Sequence, residues 1–321
     1  MSAIRLAPVR IRERIHTLTA LPGLAHTAHQ RHPRLDADAV PLVSVVIATY
    51  NWSNVLRCAI TSALGQTYPK LEVIVVGDGC TDDSAEVVAS FADERVRCHN
   101  LAENSGSQSA PNNAGIELAR GDYIAYNGHD DVWLPSHLAI VTAPLRNQNA
   151  ELAYSVTEIL GPLGGGHRAL RGVSRSGQYS PALWIPPSSV VHHKSLIDAI
   201  GPWRDYRTID RPPDIDFVAR AHEHGDRLAP VHALTVFKFN SAYRRNSYIE
   251  KPSHEQEQYI DRIGRERAFI YRELGRVAFA TVRSMFVSIG KDLPQVPEPP
   301  DPLPPGWYVT QLRRIRGLEP D

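Results

Sequence analysis

Between residues 42 and 126, runs of β-branched residues alternate with stretches of helical spacing, and this alternation limits the possible folds more than any other feature of the chain. Residues 42–47 and 71–76 are almost continuously apolar, which is typical of strands buried on both faces of a parallel sheet. Helical spacing follows each run, and further strands are indicated near 96–98 and at 123–126. The pattern predicts an α/β fold in which helices flank a mostly parallel, Rossmann-like sheet.

Local signals indicate where the helices of this segment begin. Ser53 stands before the first helical stretch and is predicted to be its N-cap. Asp83 and Glu86 have the spacing of a capping box for the second helix, and a third helix is predicted over 113–119. Ligands of such sheets gather where strands end and helices begin, so these turns are where we expect a site.

The rest of the chain is less regular. We expect residues 1–40, which are rich in His, Arg and Pro, to form an N-terminal extension with one helix near 9–18. A mixed region follows the alternating segment, and helical spacing returns over 253–274. Residues 293–306 contain seven prolines, which predicts an extended linker before a basic stub at 311–318.

Composition argues against several classes of protein. Lys plus Arg and Asp plus Glu both number 35, so no global positive field favours nucleic acid as a partner. The three cysteines form no CxxC pair, which argues against a disulfide framework or a structural zinc site and fits a reducing compartment. Neither a signal peptide nor a transmembrane stretch is recognisable. We therefore expect a cytoplasmic protein, with peripheral contact to the inner face of the membrane left open.

Polar turns follow three of the predicted strands, at 49–51, 77–79 and 128–131. In a parallel sheet these turns project from one edge, so they can line a single crevice. Asp130 and Asp131 are adjacent carboxylates, which repel each other unless a cation or a hydrogen-bond donor lies beside them. Hard oxygen ligands of this kind suit Mg²⁺ or Mn²⁺, so the pair indicates a divalent-cation site.

Four segments, in order, resemble family-2 glycosyltransferases, which have the GT-A fold. They are SVVIATYN at 44–51, EVIVVGDGCTDDS at 72–84, NNAGIELARGDYIAY at 112–126 and HDDVWLP at 129–135. The resemblance implies a catalytic domain over 41–245, with a nucleotide-binding half at 41–135 and an acceptor half at 136–245. Residues 246–321 would then supply a C-terminal helix, the proline-rich linker and the basic tail.

The resemblance also implies site residues. The donor-binding positions would be Ala48, Thr49 and Tyr50 around the nucleobase, Asp78 near the base or ribose, Asn113 after a donor-facing loop, and Asp130 at a Mn²⁺ or Mg²⁺ ion. A divalent ion there would neutralise the departing nucleoside diphosphate. For Asp78, a helix cap or Asx-turn is the competing interpretation.

Two departures from the family pattern affect this site. Gly77 replaces one acid of the usual doublet before Gly79, and Gly128 replaces the first carboxylate of the DxD-type motif. We therefore expect a metal site that depends on Asp130. His129 is either a further ligand or, in the interpretation we prefer, a hydrogen-bonding group.

Direct displacement with inversion needs a carboxylate that takes the proton of the attacking hydroxyl. The segment PPDIDF at 212–217 resembles the family's E-D-x-D-L stretch, which places Asp214 at the base position and Asp216 at a supporting one. Asp214 is equally suited to capping the helix predicted after it. A helix N-terminus would also lower the pKa of Asp214.

Aromatic and basic residues supply the remaining candidates. Trp203 is the best candidate for stacking on an acceptor sugar, with core packing as the alternative. Lys238, with Arg244 and Arg245, either reaches the donor diphosphate or belongs to a solvated basic face.

The sequence thus predicts an inverting, metal-assisted glycosyltransferase that uses a nucleoside-diphosphate sugar. Its acceptor would be a glycan, a lipid-linked or a small-molecule hydroxyl, with cell-envelope or exopolysaccharide synthesis as the expected setting. A dehydrogenase is disfavoured because no GxGxxG follows the first strand. The main alternative is a non-catalytic, sugar-nucleotide-binding or scaffold protein, for which Gly77 and Gly128 are the best support.

Overall fold

The computed structural model describes residues 6–29, 35–147, 149–174, 176–225, 227–286 and 293–319. Within these residues the strands are β1 Val43–Thr49, β2 Leu71–Gly77, β3 Val96–Asn100, β4 Tyr123–Tyr126, β5 Asp131–Trp133, β6 Leu152–Leu160, β7 Arg168–Arg171, β8 Val190–His193 and β9 Leu228–Lys238. The helices are α1 Leu6–His29, α2 Ser53–Leu64, α3 Ser84–Ala89, α4 Ser109–Leu118, α5 His137–Val141, α6 Ala143–Asn147, α7 Leu196–Ile200, α8 Pro213–Gly225, α9 Ser247–Glu250, α10 His254–Arg265, α11 Phe269–Phe286 and α12 Trp307–Arg316.

All the strands of the described chain share one sheet, whose two halves differ in strand direction. The order is β3-β2-β1-β4-β8-β6-β9-β5, and β7 pairs with β6 outside this path. β3, β2, β1 and β4 are parallel, and β8 joins β4 antiparallel. Beyond it, β6 is parallel to β9 and β5 is antiparallel to β9. The predicted α/β fold, with a parallel first half and a mixed second half, is therefore confirmed.

β1 is buried on both faces, which explains its continuous apolar run. Val45 and Ile47 pack into the cluster that contains Leu56 of α2, whereas Val46 belongs to the cluster on the opposite face. The carboxyl ends of β1, β2 and β4 consequently open at one edge. There the backbone N–H of Asp78 donates to the carbonyl of Thr49 (2.8 Å), which joins the first two turns.

The predicted alternation is confirmed, but the helix caps differ from expectation. Ser53 is the first residue of α2 rather than its cap, and its backbone N–H donates to Asp82 (3.2 Å). Asp83 precedes α3 without a side-chain cap bond, and Asp82 accepts from the backbone N–H of Ser84 (3.2 Å). One carboxylate thus serves two helix starts, because the turn after β2 lies beside the start of α2.

Both ends of the chain are more helical than predicted. α1 extends well beyond the helix expected near 9–18, and its Leu24 is fully buried in the cluster that includes Val277 of α11. The helix expected over 253–274 is two helices, α10 and α11. The proline-rich segment 293–306 has no helix or strand, as predicted, whereas the basic stub after it is the helix α12. None of the helices in the described ranges is long and apolar enough to cross a membrane.

Candidate active site

A cavity of about 460 Å³ lies at the carboxyl ends of β1, β2 and β4. Its walls come from the three polar turns, from loop 104–108, from the start of α8 and from the C-terminal segment that contains α12. The residues expected at the site that do line it are Ala48, Thr49, Tyr50, Asp78, Asp130, Asp214 and Lys238. The topology therefore brings most of the expected residues together, as it should when parallel strands end at one edge.

The adjacent carboxylates of Asp130 and Asp131 have different surroundings. Asp130 lines the cavity, and its backbone carbonyl accepts from Gln256 (3.3 Å). Asp131 is fully buried and accepts from the Lys238 ammonium (2.9 Å) and from the Ser188 hydroxyl. Only the first of the two carboxylates is thus available to a ligand in the cavity.

The two carboxylates also differ in their pKa. Burial disfavours the charged form of both, but for Asp130 the nearby cations, Lys238 foremost, outweigh burial and lower its pKa. For Asp131 burial dominates and raises the pKa to about 6. The two acidic neighbours in turn raise the pKa of Lys238 against the effect of its own burial, so the ammonium stays charged. Of these two neighbours, Asp130 is therefore the anionic group that faces the cavity.

The space beside Asp131 explains Gly128. A Cβ at position 128 would lie 2.7 Å from Asp131 Oδ2 and 3.2 Å from Ser188 Oγ. Since Lys238 and Ser188 both hold Asp131 in this position, no larger side chain fits at 128. The carboxylate missing from the DxD-type motif is therefore a steric consequence of the inward position of Asp131.

His129 joins three walls of the cavity. Its Nδ1 accepts from the backbone N–H of Tyr50 (3.4 Å) and lies 3.0 Å from Thr49 Oγ1, while its Nε2 lies 3.1 Å from the Tyr248 hydroxyl. Because a backbone N–H can only donate, Nδ1 is the acceptor and Nε2 carries the proton. Burial lowers the pKa of His129, which favours this neutral form. The geometry agrees with a hydrogen-bonding role.

Asp78 fixes the loop that forms one wall. Its carboxylate accepts from the backbone N–H groups of Ser105 (2.9 Å) and Gly106 (3.2 Å) and from the Asn104 amide (3.0 Å). It caps no helix, so that interpretation is wrong. Position 77 must also be glycine for a steric reason, because a Cβ there would overlap the side-chain oxygen of Asn100.

Asp214 lies in the first turn of α8 with its carboxylate at the cavity, where Trp184 Nε1 donates to Oδ2 (2.8 Å). Burial raises its pKa, and the hydrogen bonds from Trp184 and the backbone only partly offset this. The expectation that the helix N-terminus lowers the pKa of Asp214 is therefore wrong, because desolvation is the larger effect. A carboxylate with a raised pKa is the stronger base.

Asp216 lies two residues after Asp214 and supports the start of α8, as expected. It pairs with Arg220 (2.8 Å), which also donates to the carbonyl of Pro202 (2.9 Å). A second pair joins Asp216 to Arg204 (3.3 Å). These contacts tie the start of α8, and with it Asp214, to the preceding loop.

The expectation for Trp203 is wrong, because its ring is buried and covered. It stacks on Phe217, with ring centroids 4.5 Å apart and planes 8° apart, and its Nε1 donates to the Tyr126 hydroxyl (3.0 Å). No ring face remains for an acceptor sugar. Trp184, which was not selected from the sequence, is the tryptophan that lines the cavity.

Asn113 is also placed differently from its expected role. Its amide exchanges two hydrogen bonds of 2.9 Å with the backbone of Trp203, so it braces α4 against the core. The residue of α4 that lines the cavity is the preceding Asn112. A helix turns by about 100° per residue, so a one-residue shift moves a side chain to another face.

The arginines expected at the diphosphate do not reach it. Arg245 is exposed and outside the cavity, and Arg244 is paired with Glu255. Arg313 and Arg316 of α12 line the cavity instead. Their only sequence signal was the basic stub, because the chain must fold back across the proline-rich segment to bring them there.

Arg316 has an unused donor. Its Nε is buried and has no hydrogen-bond partner within the described ranges. Arg313, by contrast, donates to the carbonyl of Gly106 (2.8 Å) and pairs with Glu319 (2.6 Å). An unpartnered guanidinium nitrogen at a cavity wall is available to an anionic ligand.

Among the described residues, no three His, Cys, Asp or Glu side chains are grouped so that they could form a metal centre by themselves. Mg²⁺ bound with nucleotides typically takes one or two carboxylates, phosphate oxygens and water. Asp130 supplies one such carboxylate beside the cavity, so the residues fit an ion shared with a bound diphosphate.

Comparison with known proteins identifies a family match within this chain. Residues 44–180 match the model of glycosyl transferase family 2. An uncharacterised glycosyltransferase of Rickettsia prowazekii is 43% identical over 98 residues, which cover 30% of this chain and 30% of that protein. UDP-Glc:alpha-D-GlcNAc-diphosphoundecaprenol beta-1,3-glucosyltransferase WfaP of Escherichia coli is 31% identical over 114 residues, or 36% of this chain and 45% of that one. The matched part thus spans less than half the length of either relative.

A solved structure extends the comparison to the whole fold. Mannosyltransferase PcManGT of Pyrobaculum calidifontis, in complex with GDP-Man and Mn²⁺, superposes with a TM-score of 0.52 over 89% of this chain and 86% of that one. Its sequence identity is 15%, so this likeness concerns the fold alone. The sheet order, the family match and the named relatives agree with the four sequence segments: residues 44–180 match glycosyl transferase family 2, and the chain has the GT-A fold.

Proposed function

We propose that this protein transfers a sugar from a nucleoside-diphosphate sugar to an acceptor hydroxyl, with inversion at the anomeric carbon. The observation that carries the proposal is the composition of one cavity. A buried carboxylate with a raised pKa, Asp214, shares it with the anionic Asp130 and with the cations Lys238 and Arg316. Base and diphosphate-binding groups are thus available to one bound substrate.

The part of the cavity next to β1 and β2 would bind the nucleotide of the donor. Ala48 and Thr49 end β1, Tyr50 follows them, and all three would contact the nucleobase against the wall that Asp78 holds in place. WfaP is named for UDP-Glc, and the PcManGT structure contains GDP-Man, which supports a sugar nucleotide as donor. We include α12 with residues 41–245 in the catalytic unit, because its arginines complete this wall.

The cations of the cavity would neutralise the negative charge of the diphosphate. Guanidinium and ammonium groups bind phosphate oxygens strongly, and Arg316 has a buried nitrogen without a protein partner. A Mn²⁺ or Mg²⁺ ion held by Asp130 and the diphosphate would add Lewis-acid stabilisation of the leaving group. Lys238 would contribute a positive charge whose position is fixed by its ion pair with Asp131.

Asp214 would act as the base. Its carboxylate accepts the proton of the acceptor hydroxyl while that oxygen bonds to the anomeric carbon and the bond from this carbon to the diphosphate oxygen breaks. Trp184 holds the carboxylate by its N–H. The acceptor of WfaP, a GlcNAc-diphosphoundecaprenol, favours a lipid-linked acceptor and an envelope-glycan setting for this chain also.

Replacement of Asp214 by Asn tests the base. We expect transfer to fall by about 10² to 10⁴-fold, since a positioned base contributes that much, with nucleotide affinity changed only a few-fold. Rates would be measured with the sugar nucleotide that raises the melting temperature most, and affinities by titration calorimetry. Normal transfer by the Asn variant would remove Asp214 from the mechanism, and a retained anomeric configuration in the product would exclude direct displacement.

Trp184→Phe gives a second readout on the same base. It removes a donor that lowers the pKa of Asp214, so the acidic limb of the kcat/KM profile should move to higher pH. Trp133→Phe is the matched control, because its Nε1 donates to the Ser188 carbonyl rather than to the carboxylate. If the acidic limb of the kcat/KM profile does not move in Trp184→Phe, the pKa of a group other than Asp214 determines that limb.

A further inference from the structure

The outward face of α11 carries exposed aromatic and aliphatic side chains. Leu274, Val277 and Ala280 are buried on the side of α11 that packs on the core. On the opposite side, Phe279 is 69% and Phe286 84% exposed. Phe279 and Phe286 lie about two turns apart on one face of the helix and form an apolar stripe, which is uncommon on a surface that meets only water.

Arginines lie directly beside this stripe. Arg272, Arg276 and Arg283 of α11, together with Arg168 of β7, line a groove of about 410 Å³ next to Phe279. The other wall of the groove is the β6–β7 turn, where a Cβ on Gly166 would come within 3.4 Å of an Arg283 nitrogen. Leu163 on the same turn is 60% exposed, so this turn also carries an exposed apolar side chain.

Of the three carboxylates that pair with these arginines, two are buried, whereas Glu266, which pairs with Arg272 (3.2 Å), is partly exposed. Glu158 and Glu273 are both fully buried, and they pair with Arg168 from inside. Burial raises the pKa of Glu158 to about 8, which reduces its negative charge at neutral pH. The four arginines thus outnumber the three carboxylates that pair with them, and only Glu266 among these reaches the surface, so the groove presents net positive charge outward.

We propose that the α11 face, defined as Leu163, Arg168, Arg272, Arg276, Phe279, Arg283 and Phe286, docks on a bilayer that contains anionic lipids. Lipid phosphates would lie at the arginines while the apolar side chains enter the boundary between headgroups and acyl chains. A bilayer meets both requirements at once, because it offers negative charge and hydrocarbon within a few ångströms of each other.

A second copy of the chain fits this face less well. A two-fold dimer brings the same patch of both subunits together, so the arginines of one copy would face those of the other. Like charges across an interface oppose association. The bilayer is therefore the occupant that the charge pattern favours, and the proposal does not depend on the transfer activity.

Co-sedimentation of the full chain with vesicles tests the proposal. We expect binding to vesicles of phosphatidylcholine mixed with an equal part of phosphatidylglycerol, little binding to phosphatidylcholine alone, and weaker binding at high salt. Phe279→Ser should weaken binding by at least about tenfold, because the ring no longer leaves water. Neutralising both Arg272 and Arg283 with Gln should weaken it by about fivefold for each charge removed.

Matched variants elsewhere on the surface are the controls. Arg57→Gln with Lys70→Gln removes two exposed charges, and Leu118→Ser removes an exposed apolar side chain, all away from α11. These proteins should bind like the wild type, and thermal melting would verify that every variant is folded. Absence of binding to the anionic vesicles, or equal losses in the control and α11 variants, would overturn the proposal. Sedimentation velocity that shows a dimer which Phe279→Ser dissociates would assign the face to a subunit contact instead.

Discussion

At the scale of single residues, Asp130 and Asp131 show how neighbours in sequence take different parts in a site. Asp131 is the first residue of β5, and side chains along a strand alternate between faces. It therefore points away from the cavity that Asp130 faces, into contact with Lys238 and Ser188. The site has one open carboxylate and a fixed cation, where the sequence predicted an acidic pair.

This arrangement predicts what restoring the family acid would do. Gly128→Asp should lower the melting temperature and should not strengthen Mn²⁺-dependent nucleotide binding, because its Cβ would lie 2.7 Å from Asp131 Oδ2. Overpacking of this kind typically costs about 1–3 kcal/mol of stability. The control is Asp38→Gly, in which residue 128 remains glycine, because it changes a residue of an unrelated loop. A stable Gly128→Asp protein with tighter metal-dependent binding would contradict the steric explanation and revive the non-catalytic alternative for the natural chain.

At the scale of elements, α12 completes the cavity. The backbone N–H of Asn246 donates to the Ile315 carbonyl (2.9 Å), and that of Gly306 donates to the Ile209 carbonyl (3.0 Å). These bonds hold the helix near both of its ends to the segments that contain Ile209 and Asn246. Arg313 and Arg316 of this helix line the cavity.

Arg316→Gln tests the contribution of α12 to ligand binding. We expect the Kd for UDP, or for GDP if that is the nucleotide that binds, to rise by about ten- to a hundredfold, since a charge-assisted hydrogen bond contributes about 1.5–3 kcal/mol. Arg314→Gln on the same helix is the matched control, because Arg314 is exposed and outside the cavity. Titration calorimetry gives both values. Equal affinities of the two variants would show that α12 covers the site without binding the diphosphate.

At the scale of the whole molecule, buried polar groups connect the second half of the sheet to its helices. His137 of α5 is fully buried, stacks on Trp133 of β5 at 4.3 Å and lies 2.7 Å from Thr235 of β9. Its Nε2 has no partner within the described part of the chain. Burial consequently lowers the pKa of His137 to about 3, so the folded protein keeps this ring neutral.

The lowered pKa gives stability a defined pH dependence. Below the unfolded value of about 6.5 the unfolded chain binds a proton that the folded chain does not, so stability is lost as the pH falls from there toward 3. His137→Gln should remove this dependence, and the wild type should lose about 1.4 kcal/mol more per pH unit than the variant over that window. Urea unfolding at a series of pH values measures the difference. Parallel stability curves would mean that His137 is protonated in the folded state.

Much of the fold followed from the sequence. Continuous runs such as 42–47 leave little choice but a strand buried on both faces, and the polar turns after those strands must then share an edge. Asp130 was found this way, because it lies in a turn next to a strand that the local pattern identifies, whereas the roles of Asp214 and of residues 48–50 came from the family resemblance. The family resemblance rests on those same turns.

Only the tertiary structure decided which side chains face the cavity and what charge they hold. The choices of Trp184 over Trp203 and of Arg316 over Arg245 depend on contacts between segments far apart in the chain, which no local pattern encodes. The raised pKa of Asp214 likewise comes from desolvation by the assembled core, which exceeds the local effect of a helix start. The sequence by itself determined the strands, the turns and the chemistry they could offer, since these depend on residue type and spacing. The burial of each side chain, the groups it contacts and its protonation state are decided only in the folded chain, because they depend on the residues that pack around that side chain.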